Sequence, residues 1–170
     1  MTDLRLVLLS RDHLPLLERA IGDPDIVRNT RIPEPPPPGF AEYWLGRYEE
    51  GRAAGEREGF AVEDEDGRQL GMAVAPRIER EARTAELGYV VLAEERGRGV
   101  ATEALRLLTD WAFAELDAVR LELMISVENE ASKHVAERCG YVLEGVLRSV
   151  YVKPGRWEDT EVWSRLATDP

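Results

Sequence analysis

Thr84-Ala85-Glu86-Leu87-Gly88-Tyr89-Val90-Val91-Leu92 runs into Ala93-Glu94-Glu95-Arg96-Gly97-Arg98-Gly99-Val100-Ala101. The first half mixes alternating and continuous apolar residues, as a partly buried strand does. Beyond the second half, Ala101, Leu105, Leu108, Trp111 or Ala112, and Leu116 recur at three- and four-residue spacings, the apolar stripe of an amphipathic helix. A strand therefore enters a glycine-bearing loop that opens a helix. Gly97 and Gly99 have no Cβ, so the backbone can turn tightly and approach a ligand closely. The first amides of a helix have no partner within it, and the helix dipole adds partial positive charge there. Such a turn suits a phosphate or pyrophosphate, with Arg96 and Arg98 adding charge at the rim. Read alone, the same Gly-x-Gly can be a tight connection and nothing more. It is not a Walker loop, because no Gly-Lys-Ser/Thr follows, and Thr102 stands where the dinucleotide fingerprint has its third glycine.

The flanking chain alternates strands and helices. Leu4 to Leu9 reads as a first strand, and Ser10 as the cap of a helix from about Asp12 to Ala20. Asp23-Pro24 opens a short turn through Val27. The segment Arg31 to Gly39, with Pro33 and the run Pro35 to Pro38, excludes helix and predicts a stiff surface connector. Helical spacing returns from Phe40 to Ala54. Phe60-Ala61-Val62 and Leu70 to Ala75 form a hairpin about Asp64-Glu65-Asp66-Gly67. After the long helix come a central strand at Arg120 to Val127 and a short helix ending at Gly140. Two strands, Tyr141 to Tyr151 and Trp157 to Leu166, then join across Lys153-Pro154-Gly155-Arg156. The order predicts one α+β domain over residues 1–170, around a mixed, mainly antiparallel sheet of about seven strands.

Composition narrows the function. A chain of 170 residues with 44% apolar and 32% charged side chains has the make-up of one globular domain. A net charge of −11 argues against nucleic acid as partner. The acidity would attract cationic partners, or it serves only to solvate the surface. Cys139 is the single cysteine, and His13 and His134 are the two histidines, so neither a disulfide nor a metal site is expected. Asp3 and Arg5 interrupt the first apolar run, no run reaches membrane-spanning length, and a cytoplasmic location follows as the expectation.

Arg96-x-x-Gly99-x-Ala101 matches the Arg/Gln-x-x-Gly-x-Gly/Ala loop of the GNAT acetyltransferase superfamily, which the chain resembles over nearly its whole length. Asn129-x-x-Ser132, Cys139-Gly140-Tyr141, Glu144 to Arg148, and Gly155-Arg156-Trp157-Glu158-Asp159 resemble the branch that acetylates ribosomal-protein N-termini. The resemblance implies acetyl-CoA as co-substrate, no metal, a primary amine as acceptor, and a homodimer. It implies cofactor contacts at Leu92, Arg96, Gly97, Arg98, Gly99, Val100, Ala101 and Asn129. It further implies a bulge in the Glu86 strand and a splay from the Leu121 strand, whose freed main-chain groups pair with the pantetheine arm. The tyrosine that often protonates the departing thiolate is replaced by Ala136, and Ser132 occupies the position suggested for that task in the ribosomal branch. Helix capping is Ser132's other reading, and a turn or cap is Asn129's. The branch's basic carboxylate aligns with Tyr151, which leaves Glu86 as the candidate base. An acceptor groove is expected between Ile32–Gly39 and Lys153–Arg156, walled by Trp44, Tyr151 and Trp157. Two other readings stand beside this one: acetylation of a small amine (an antibiotic, polyamine or amino acid), and a non-catalytic acyl-CoA-binding protein.

Overall fold

The computed structural model describes residues 3–170. Seven strands form one sheet: β1 Arg5–Leu8, β2 Glu58–Glu63, β3 Gln69–Glu79, β4 Thr84–Val91, β5 Arg120–Ser126, β6 Val142–Lys153 and β7 Arg156–Leu166. Their order is β1-β2-β3-β4-β5-β7-β6, and the β4–β5 pair is the parallel one. The helices are α1 Leu14–Ile21, α2 Pro24–Asn29, α3 Phe40–Ala54, α4 Val100–Glu115 and α5 Glu130–Arg138.

Each sheet face carries its own core, because alternate side chains of the central strands leave on opposite sides. Leu105, Leu108 and Ala112 of α4 pack with Leu87, Leu121 and Leu123. On the other face Leu16 and Leu17 of α1, Ile26 of α2 and Leu45 of α3 cover Ala61, Met72 and Leu92. The β2–β3 turn is closed by Asp64, whose carboxylate accepts the amides of Asp66 and Arg68 while Gly67 takes φ 79°.

Three local expectations change. The first helix begins at Leu14 after a 3₁₀ turn at Arg11–His13, with Pro15 in the opening turn where its missing N–H costs nothing. The turn at Pro24 is a helix to Asn29, capped by Asp23. The bulge lies in β3 rather than in the Glu86 strand. Val74 pairs with Gly88 and Arg77 with Glu86, so Ala75 and Pro76 together oppose Leu87. Pro76 has no N–H to give to a ladder, so the extra residue falls there.

Candidate active site

The parallel ladder between β4 and β5 runs from Thr84–Arg120 to Leu87–Leu123 and then ends, although β4 continues to Val91 and β5 to Ser126. The expected splay is therefore present, opening toward the carboxyl ends of both strands. It forms the inner part of a cleft of about 810 Å³ that Leu87 to Val91 and Leu123 to Ser126 line from the two sides.

At one end of the cleft the strand gives way to the glycine loop. Gly97 and Gly99 have φ of 73° and 82°, and a Cβ at either would meet nothing within 4 Å, so it is backbone conformation, not crowding, that calls for glycine. Among the described residues, the amides from Gly97 to Thr102 have no acceptor, while Glu103 is the first to bond back, to Gly99. Val100 and Ala101 open α4 with these free donors. The rim charge is arranged differently from expectation. Arg96 donates to the Val91 carbonyl and pairs with Asp23 at 2.5 Å and Asp25 at 3.1 Å. Arg98 pairs with the buried Glu95 at 2.8 Å. Both arginines are engaged in holding the loop's shape, and the unsatisfied donors are main-chain. Leu92 is buried in the α1–α3 core, and its amide continues the β3 ladder by donating to Leu70.

Asn129 caps α5: its side-chain oxygen accepts the Ser132 amide at 3.1 Å. The capping role that the sequence allowed Ser132 thus belongs to Asn129, and Ser132 lines the cleft. Ala136 is fully buried in the α4 core.

On the opposite side, Glu86 is 7% exposed and is held by Arg31 at 2.8 Å and Arg77 at 3.7 Å. Tyr151 reaches the cleft from β6, its hydroxyl buried and unpartnered, and burial pushes its ionisation far above the ordinary phenol range. It is a neutral phenol at physiological pH and takes no part as a phenolate. Trp44 lines the cleft beside Tyr48, but Trp157 is 67% exposed and lies outside it. The proline-rich loop and the β6–β7 turn do not flank an open groove. Lys153 of that turn is buried and donates to the carbonyls of Val27 and Ile32 at 2.5 and 2.6 Å, and Arg156 approaches Glu34 at 3.8 Å. The two segments close on each other, and the cleft lies inward of that seam.

Sequence reasoning passed over Tyr89 and Thr160, two further cleft-lining residues with buried hydroxyls. Their positions in β4 and β7 were visible; that the β4–β5 ladder stops short of Tyr89 was not.

Residues 3–142 match the acetyltransferase (GNAT) domain family. The chain belongs to the GNAT acetyltransferases. Among relatives, the putative ribosomal N-acetyltransferase YdaF of Bacillus subtilis is 36% identical over 59% of this chain and 55% of its own length. The spermidine N(1)-acetyltransferase of Vibrio cholerae is 30% identical over 60% of this chain and 59% of its own. The aligned part thus spans less than two thirds of these curated relatives. The crystal structure of the Vibrio cholerae spermidine N-acetyltransferase in complex with CoA and spermine superposes with a TM-score of 0.87 at 25% identity, covering 98% of this chain and 96% of that one. GNAT acetyltransferases use acetyl-CoA. The residues here fit that co-substrate: a run of free amides at a helix start suits its pyrophosphate, and the unpaired edges of β4 and β5 suit an extended amide-bearing arm.

Proposed function

We propose that this chain is an acetyl-CoA-dependent N-acetyltransferase acting on a primary amine, with a protein N-terminus as the acceptor class. The observation that carries the reading is the early end of the β4–β5 ladder beside the unsatisfied amides of Gly97 to Thr102. Bound acetyl-CoA supplies an activated acetyl thioester. The loop amides hold its diphosphate, and the free edges of β4 and β5 hold its arm along the cleft. Holding both reactants in one cleft supplies much of the rate, since a neutral amine attacks a thioester readily once oriented. Glu86, the buried carboxylate of the cleft, takes the amine's proton through water, exchanging part of its hold on Arg31. Tyr151 orients the nucleophile as a neutral donor or acceptor. Ser132 faces the leaving group.

The choice of acceptor rests on charge. Asp25 and Glu86 are the carboxylates lining the cleft, and both are paired with arginine. Arg31, Arg57 and Arg96 line it too, so the net charge of −11 is carried elsewhere on the surface. A polyamine needs several free carboxylates; a peptide N-terminus brings one ammonium and a main chain. The polyamine reading draws its support from the spermidine acetyltransferases among the relatives. A mass-shift screen of N-terminal peptides, polyamines, amino acids and aminoglycosides with acetyl-CoA tests this. Peptide acetylation with a rate constant nearly flat in ionic strength is expected; polyamine turnover with steep salt dependence would reverse the choice. Cofactor binding without any acceptor would favour a non-catalytic binding protein.

A homodimer and a cytoplasmic location complete the proposal. β6 is an edge strand whose Val142, Val150 and Val152 are exposed by half or more, and such a strand is a ready surface for a second copy. Light scattering would give the mass directly, and a monomer at micromolar concentration would remove the dimer.

A further inference from the structure

Arg31, Arg57 and Arg96 are the arginines that line the cleft. Arg31 is engaged with Glu86, and Arg96 with Val91, Asp23 and Asp25. Arg57 is half-buried, and among the described residues its guanidinium has neither an ion pair nor a hydrogen bond. Its position is nonetheless built. The Arg57 amide donates to the Gly51 carbonyl at 3.2 Å, and the side-chain stem crosses Gly51 of α3. A Cβ at Gly51 would fall 2.6 Å from the Arg57 Cβ and 2.8 Å from its Cγ and Cδ. Glycine weakens a helix interior, so its use here makes room for this stem. Tyr48, on the same face of α3, reports where the guanidinium lies. Burial raises the ionisation of that phenol, and Arg57 is the chief charge opposing the rise, with Glu86 and Arg31 acting after it. Arg57 therefore stands at the Glu86 end of the cleft, toward the start of β4 and away from the glycine loop. Arg77 reaches Glu86 there at 3.7 Å but shares itself with Glu122, which Arg120 also holds. In a chain of net charge −11, this end of the cleft keeps a cation in excess.

We propose that Arg57 is a specificity residue: it takes a carboxylate that the acceptor carries close to its amine. This rests on the reading of the cleft as an acetyl-transfer site for a peptide N-terminus. A half-buried cation without a partner is costly, and an anion arriving with the ligand relieves that cost. The planar guanidinium presents a fork of donors that matches both oxygens of a carboxylate. The acceptor thus meets opposite charges at one end of the cleft, with its amine toward Glu86 and its carboxylate on Arg57. A polyamine brings no anion and is repelled by the free guanidinium. The carboxylate has two possible sources, an acidic side chain within the first residues of a peptide or the α-carboxylate of a free amino acid.

Matched acceptors test the assignment. Peptides that differ only by Asp or Glu against Asn or Gln, scanned through their first three residues, are compared in kcat/KM, beside free amino acids and their amides. In the parent, the acidic peptide should lead its amide twin about ten- to a hundredfold at one of these positions, the range for a hydrogen bond between charged groups. The lead should lie mainly in KM, because the contact is made equally in ground and transition states. In Arg57→Gln the ratio should fall to about one, while calorimetric affinity for acetyl-CoA stays at the parent value. Arg57→Glu should turn the preference at that position toward Lys. Equal rates for acid and amide twins, or a lead that survives Arg57→Gln, would overturn the role of Arg57 while leaving acetyl transfer to peptides intact. Free amino acids acetylated ahead of every peptide, with an Arg57-dependent lead over their amides, would keep the carboxylate site and overturn the peptide reading. Polyamines turned over ahead of all of these, or acetyl-CoA bound with no acceptor acetylated, would overturn both.

Discussion

Arg31, in the loop after α2, and Glu86, inside β4, meet at 2.8 Å in the cleft. The arginine is largely exposed and the carboxylate buried, so one surface side chain covers the buried anion that an incoming ammonium would seek. On the proposed reading, an acceptor would share or displace that contact.

Glu86→Gln follows from this geometry. If the carboxylate accepts the acceptor's proton, kcat/KM should fall about a hundred- to ten-thousandfold near neutrality. The deficit should shrink as pH rises past the amine's own pKa, about 8 for an N-terminus, where the nucleophile is already neutral. A deficit independent of pH would leave Glu86 a purely structural partner of Arg31 and Arg77.

At Gly99 two substitutions separate backbone from charge. Gly99→Ala meets open space but must hold φ at 82°, costing about 1 kcal/mol of stability, with only modest loss of acetyl-CoA affinity. Gly99→Glu adds a negative charge among the free amides and should abolish acetyl-CoA binding in calorimetry. Equal affinities for parent and Gly99→Glu would mean that the diphosphate sits elsewhere.

Asn129 and Ser132 divide stability from turnover. Asn129→Ala removes the cap of α5 and should cost about 1 kcal/mol. Ser132→Ala leaves the capping amide in place, so its melting temperature should stay near the parent's while kcat drops about tenfold, within the range of one lost hydrogen bond to a charged group. A destabilised but fully active Ser132→Ala protein would reverse the assignment.

Lys153→Met tests the seam between α2, the proline-rich loop and the last turn. It strands the carbonyls of Val27 and Ile32, at about 1–3 kcal/mol for a buried unpaired group. The acceptor KM should rise while acetyl-CoA affinity, set at the other end of the cleft, stays put. Parallel losses in both would show the two ends to be coupled.

Glu144 of β6 gives a prediction in pH. The Arg120 guanidinium first, and then the Ser164 hydroxyl, hold its carboxyl down to about 2. Unfolded, it titrates near the ordinary 4.5. A carboxyl with a depressed folded pKa stabilises fully above its unfolded value and loses that contribution as pH falls through the folded one. The pair is partly exposed and screened, so the gain is small. The melting temperature of the parent should exceed that of Glu144→Gln at neutral pH, and the gap should close between about pH 4.5 and 2. A gap constant over that range would remove the ion pair from the stability of this strand.

How much of this was legible follows from how local each signal is. Phe40 to Ala54 and Val100 to Glu115 were readable because apolar spacing and flanking glycines are nearest-neighbour facts. The loop at Arg96 to Ala101 was readable for the same reason. The long-range partners were hidden. Nothing near Arg96 says that Asp23 and Asp25 neutralise it, and nothing near Lys153 points to Val27 or Ile32. The bulge was assigned to the wrong strand because Pro76 looks like a strand irregularity of its own until its register against Leu87 is known. Tyr89 was passed over since its neighbours mark an ordinary strand, and its exceptional position depends on where a different strand turns away.

The place of β7 in the sheet has a consequence for the order of assembly. The last strand in the chain is inserted between β5 and β6, and β6 has no other neighbour in the sheet. As the chain emerges during synthesis, the glycine loop and α4 are complete long before β7 exists, and until then β6 has no template to pair with. Tyr151 and Lys153 ride on that waiting strand. The half of the molecule that would receive the donor can thus form early, whereas the half that would select the acceptor is built last and all at once. Slow or incomplete closure by β7 would leave a folded core lacking its acceptor wall, and Val142 through Val152 open to the wrong partner.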